Sequence, residues 1–116
     1  MIAVEKDEVL ATRLQQALGP AANVRVIVGD VLQMDPAQIL KQAPTTSGDK
    51  GAAPRYKVVA DLPYNIASAV LRLFLEATVK PQLIVVMVQR EVAENMAAQP
   101  GQMTVLSVAV QLYGKP

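Results

Sequence analysis

The chain contains no cysteine and no histidine. The first absence excludes disulfides and thiolate metal sites. The second removes the commonest metal ligand and the usual base of a nucleophilic triad. No apolar run approaches the roughly 18 residues of a membrane span, and no signal-peptide pattern opens the sequence. A soluble, cytoplasmic chain without a membrane partner is the expectation. Net charge is only +1, so no strongly basic surface announces nucleic acid. Chemistry must therefore run on carboxylates, backbone groups, a few Tyr, Lys and Arg, or a bound cofactor.

What is present is apolar. Hydrophobic residues make up 52% of 116, which excludes wholesale disorder and supports at most one ordinary domain with a real core. Four short runs recur: IAV at 2–4, VRVIV at 24–28, YKVVA at 56–60 and LIVVMV at 83–88. They are nearly continuous rather than alternating, as strands buried on both faces of a parallel sheet are.

Helical patterns lie between them. In DEVLATRLQQALG (7–19), Leu10, Leu14, Ala17 and Leu18 form one face, Asp7 is a candidate N-cap and Gly19-Pro20 a stop. In IASAVLRLFLEA (66–77), Ile66, Val70, Leu73, Phe74 and Ala77 repeat the 3.6-residue period. REVAENMAA (90–98) runs out at Pro100-Gly101. Such alternation predicts an α/β fold built of βαβ units. Residues 42–55, QAPTTSGDKGAAPR, read as a flexible loop. The stretch MTVLSVAVQLYG (103–114) fits either a helix or a strand.

In an open parallel sheet, ligands bind beyond the carboxyl ends of the strands. The first run ends in Glu5, the second in Gly29-Asp30 and the third in Asp61-Leu62-Pro63-Tyr64. Three strand-end carboxylates form the pattern of a nucleoside-type site. Taken singly, Glu5 and Asp30 also suit helix caps or turns. The third stretch is more particular. Pro63 fixes its own φ and presses Leu62 toward an extended conformation. That aims the Asp61 side chain and the Leu62 carbonyl at one point, with Tyr64 beside it. Two acceptors and a flat ring match an exocyclic amino group on a stacked base, although a plain strand-to-helix turn is the alternative.

VVADLPYNIAS (58–68) resembles the NLPYNIS motif of the ribosomal RNA adenine N6-dimethyltransferases. IAVEKD (2–7) resembles that family's acidic second-strand motif and VIVGDVL (26–32) its GDAL-type motif. VVMVQREVAENMAAQPG (85–101) is similar to its fifth strand and following helix, and LSVAVQLYG (106–114) to the helix after that. These stretches fall in the family's order, and the resemblance extends over nearly the whole chain except the 42–55 loop.

The resemblance implies a Rossmann-like methyltransferase fold, S-adenosylmethionine as methyl donor, no metal, and adenine N6 of small-subunit ribosomal RNA, or of a pre-ribosomal subunit, as acceptor. It implies that Glu5 binds the donor's ribose hydroxyls and Asp30 its adenine amino group, with Lys6, Val31 and Asp61 also in the donor site. It implies a catalytic group of Asp61, Leu62, Pro63 and Tyr64, with the Leu62 carbonyl accepting from the target amine and Tyr64 stacking on the base. The last ambiguous stretch becomes a helix by the same analogy.

Departures are also visible. The family usually has Asn where Asp61 stands, and PGQMTVLSV (100–108) lacks its usual Tyr-Gly. The family's first strand with its GxG loop, its last two strands and its C-terminal helical domain have no counterpart here. Residues 1–116 are therefore expected to be a partial methyltransferase catalytic domain, a fragment or truncated gene product with open strand edges. The alternative is a degenerate, non-catalytic module binding RNA or protein through those edges. A dinucleotide enzyme is disfavoured by the absence of GxGxxG.

Overall fold

The computed structural model describes residues 1–20, 23–43 and 55–116; of the predicted 42–55 loop, residues 44–54 lie outside the described residues. The chain divides into two compact units, Met1–Pro54 and Arg55–Pro116.

In the first unit, β1 (Ile2–Glu5) pairs in parallel with β2 (Arg25–Val28), with Ile2 opposite Arg25 and Glu5 opposite Val28. The connecting helix α1 (Glu8–Leu18) begins and ends on the two predicted signals. The Asp7 carboxylate accepts from the Val9 and Leu10 N–H groups, and Gly19 closes the helix at φ 53° with its N–H on the Gln15 and Gln16 carbonyls. The inward face is rotated by about one residue from the predicted one. Ala11 is fully buried with Leu14 and Leu18 half-buried, while Leu10 is 51% exposed and Ala17 is exposed. A methyl group at position 11 lets the helix lie close against the strands, a fit that a longer side chain at 10 does not offer. A 3-10 turn at Val31–Gln33 and a short helix α2 (Pro36–Lys41) follow, the latter with Asp35 as cap and Pro36 in its first turn.

In the second unit, β3 (Lys57–Asp61) pairs in parallel with β4 (Leu83–Met87), Asp61 lying opposite Met87. Helix α3 (Ala67–Leu75) connects them, and α4 (Arg90–Met96) and α5 (Val105–Tyr113) complete the unit. Residues 103–114 thus settle as a helix, opened by a capping box in which Thr104 and Ser107 bond each other's N–H groups. Leu71, Met96 and Val110 are the buried centre, with Leu75, Ile84, Val86, Val88, Val92 and Leu106 packed against it. The Gln111 amide donates to the Met96 and Ala98 carbonyls, both at 2.9 Å, and so ties α5 to the free end of α4.

The strands are apolar as predicted, yet their burial alternates. Val58, Ala60, Ile84 and Val86 are half-buried, whereas Val59 is 78% exposed and Leu83, Val85 and Met87 are exposed too. Successive side chains point to opposite faces, and within this unit helices cover one face only. The α/β class with parallel strands holds, in an incomplete form of two strand pairs.

Leu71→Ala should cost about 2–5 kcal/mol, the range for a buried leucine truncated to alanine. Val59→Ser should change stability by less than about 0.5 kcal/mol, because its side chain is 78% exposed. Urea denaturation followed by circular dichroism compares the two; equal losses would mean that the Leu71 cluster is not the core.

Candidate functional site

Each unit carries its own set of the predicted residues, at the carboxyl ends of its strands. In the first, the ladder runs one bond past β2: the Gly29 N–H donates to the Glu5 carbonyl at 2.9 Å. That rung brings Glu5, Lys6, Asp30 and Val31 to one edge. Gly29 has φ 156°, which L side chains rarely adopt, so glycine is required where the chain leaves the strand.

The carboxylates there are partly committed. One Glu5 oxygen accepts from the Asp7 N–H at 2.8 Å, which leaves the other without a partner among the described residues. Asp30 Oδ1 caps the 3-10 turn by accepting from the Leu32 N–H at 3.0 Å. Asp30 Oδ2 accepts from Lys6 Nζ at 2.9 Å. The Lys6 hydrogen bond first, and the Leu32 N–H second, hold the Asp30 carboxyl below the usual carboxylate range against a smaller opposing effect of desolvation. The Val31 N–H donates to no described group. A carboxylate acceptor beside a free N–H donor is complementary to the amino-and-ring-nitrogen edge of adenine. Glu5, with an acceptor oxygen to spare, suits a hydroxyl pair. The donor set therefore fits a nucleoside, and S-adenosylmethionine carries one.

In the second unit the ladder again runs one bond past the strand: the Leu62 N–H donates to the Met87 carbonyl at 3.3 Å. Among the described residues nothing donates to the Leu62 carbonyl, and the Asp61 carboxylate has no hydrogen-bond or ion-pair partner. The Pro63 carbonyl accepts from the Ile66 and Ala67 N–H groups, turning the chain directly into α3. Tyr64 lies in that turn with 74% of its surface exposed. Asp61, Leu62, Pro63 and Tyr64 thus stand together at one strand tip, offering two uncommitted acceptors and an open ring.

Two participants were not legible in the sequence. Met87 acts through its backbone carbonyl, for which no side-chain pattern exists. The pairing of Lys6 with Asp30 depends on the β1–β2 register. Among the described residues no helix is long and apolar enough to cross a membrane.

A family model described as ribosomal RNA adenine dimethylase matches residues 1–115. A ribosomal RNA small subunit methyltransferase A of Dehalococcoides mccartyi strain 195 is 49% identical over 116 residues, spanning 100% of this chain and 36% of its own length. The protein of the same description from Moorella thermoacetica is 38% identical over 118 residues, 40% of its length. That from Synechocystis is 37% identical over 117 residues, 39% of its length. The chain thus spans under half the length of these relatives.

A carboxyl with a lowered folded pKa stabilises the fold above its unfolded value near 3.9, and that contribution is lost as pH falls through the folded value. Carbon-detected NMR of the Asp30 carboxyl should accordingly show protonation below the ordinary range. In Lys6→Gln the midpoint should rise but stop short of the unfolded value, since the Leu32 N–H remains. An unchanged midpoint would mean that Lys6 does not pair with Asp30 in solution.

Proposed function

Because the chain belongs to the ribosomal RNA adenine dimethylase family, we propose that it is part of an enzyme that transfers methyl groups from S-adenosylmethionine to N6 of adenines in small-subunit ribosomal RNA. The substrate is the RNA itself or a pre-ribosomal particle, and two methyl groups are added to each target amine. The single observation that carries this reading is the strand tip at 61–64, with the Asp61 carboxylate and the Leu62 carbonyl both uncommitted among the described residues beside an exposed Tyr64.

An adenine amino group is a poor nucleophile, because its lone pair is delocalised into the ring. Asp61 and the Leu62 carbonyl would accept its two N–H groups and draw them out of the ring plane, which localises the pair on nitrogen. Tyr64 would stack on the extruded base and hold its plane, at a gain of about 1–3 kcal/mol. Pro63 stiffens the backbone between these groups, so orientation is set before the base arrives. Glu5 would accept from the ribose hydroxyls of the methyl donor, while Asp30 and the Val31 N–H would read its adenine edge. Bound there, S-adenosylmethionine supplies a methyl group on a positively charged sulfur. Asp61 keeps the acceptor role of the family's usual asparagine.

The test uses the polypeptide as the cell makes it, with tritiated S-adenosylmethionine and undermethylated small ribosomal subunits. Label should appear as N6-methylated adenosine. Tyr64→Ala should lower the transfer rate about 10- to 100-fold, the equivalent of the lost stacking, and leave S-adenosylhomocysteine binding unchanged. Glu5→Ala should do the reverse, weakening S-adenosylhomocysteine in calorimetry. Label on another nucleoside, or none on any RNA, would overturn the reading.

A further inference from the structure

Lys6 stands among the residues expected to touch the methyl donor, yet its ammonium is already engaged. Asp30 has two oxygens. Oδ1 is turned to the Leu32 N–H, so Oδ2 is the oxygen facing away from the backbone cap, and Lys6 Nζ sits on it at 2.9 Å. The same edge offers the Val31 N–H as a free donor and one uncommitted oxygen on Glu5. Lys6 is thus the side chain of this edge that competes with a purine amino group for Asp30.

We propose that Lys6 is a competitor built into the donor site: its ammonium sits on a carboxylate oxygen that the adenine amino group would share or take, and it thereby tunes both the affinity and the base selectivity of that site. The proposal rests on the reading of Glu5, Asp30 and Val31 as the nucleoside contacts.

The exchange is not even. A charged ammonium makes a stronger hydrogen bond to a carboxylate than a neutral amino group does. Lys6 is mostly exposed and Asp30 partly so, with side-chain exposures of 76% and 29%, so water weakens the pair to the level of a surface ion pair. The outcome is a several-fold penalty on binding rather than a block. The Lys6 stem can swing into solvent once displaced, since it is 76% exposed and no other hydrogen bond or ion pair holds it among the described residues.

The same ammonium has a second consequence. A purine with a carbonyl at position 6 would meet Asp30 as acceptor against acceptor and be rejected. Lys6 Nζ, lying between the two, can donate to that carbonyl and relieve the repulsion. Asp30 alone would select strongly for adenine; Asp30 with Lys6 selects less strongly.

Calorimetric titration of the full chain with S-adenosyl-L-homocysteine and with S-inosyl-L-homocysteine tests this. Lys6→Met keeps the length of the side chain and removes the charge, and its exposed position makes folding safe, with circular dichroism as the check. The variant should bind the adenosyl ligand about two- to fivefold more tightly and the inosyl ligand more weakly than the native chain does. Raising sodium chloride should tighten adenosyl binding to the native chain and leave the variant flat. Equal or weaker adenosyl binding by Lys6→Met overturns the competition. If neither protein binds the adenosyl ligand, the nucleoside reading itself fails and takes the proposal with it. Native binding that is lost in Glu5→Ala yet unchanged in Lys6→Met removes this proposal alone.

Discussion

Two hydrogen bonds lie just beyond the regular strands, one in each unit, and the arrangement of each unit's candidate residues depends on its own. The Glu5 carbonyl accepts from Gly29, and the Met87 carbonyl accepts from Leu62, each one rung past the last paired strand residue. A parallel ladder that stopped at Val28 or Asp61 would leave the next peptide free to swing. One further rung fixes it, so the residue that follows leaves the sheet in a defined direction. At Gly29 that exit requires a backbone conformation few side chains permit. At Leu62 the proline that follows imposes the extended exit. Different residues thus produce one geometric result in the two units, a carboxylate held at a strand end.

The carboxylates so held do not share one role. Asp7, Asp30 and Asp35 each accept from N–H groups at the start of a helical turn, the ordinary work of a short acid there. Capping and ligand binding are often treated as competing explanations of such a residue. Asp30 shows why they need not be, because a carboxylate has two oxygens and capping uses one. Asp61 is the contrasting case. The helix after it opens without any side-chain cap, and its N-cap position is Ile66 rather than an acid. An acid that, among the described residues, caps nothing and pairs with nothing, at the tip of a strand, has no structural work there to explain it.

Much of this was legible in the sequence, for physical reasons that also mark where reading stops. Strand and helix positions follow from apolar periodicity and from local signals such as Asp7 and Gly19, which act within a few residues of themselves. The placing of Asp61 to Tyr64 was legible for the same reason. What needed the fold was whatever joins distant residues. The α1 face turned on Ala11 rather than Leu10, because close approach to the strands favours the smaller side chain. The Gln111 contacts with the end of α4 and the Lys6–Asp30 pair span 13 to 24 residues, and no spacing rule announces them. The strands differ for another reason. Their continuous apolar composition is that of two-sided burial, while the second unit covers one face, leaving Val59, Leu83, Val85 and Met87 open.

The lack of histidine and cysteine, which first narrowed the chemistry, agrees with what the site offers. Methyl transfer to an amine needs no covalent intermediate on the protein, so a nucleophile would be idle. On the proposed reading the chain supplies acceptors, a stacking surface and stiffness, and these act through position alone. A group that works by proton transfer tolerates some displacement if its pKa is right. A carbonyl or a ring that works by orientation does not, because its benefit falls away with angle and distance. That places the demand on the backbone. The Leu62 carbonyl is aimed by its own N–H on Met87, by Pro63 after it and by the immediate start of α3 at Ala67. Substitutions that disturb those supports should therefore harm the chemistry as much as removing the side chains that touch the substrate.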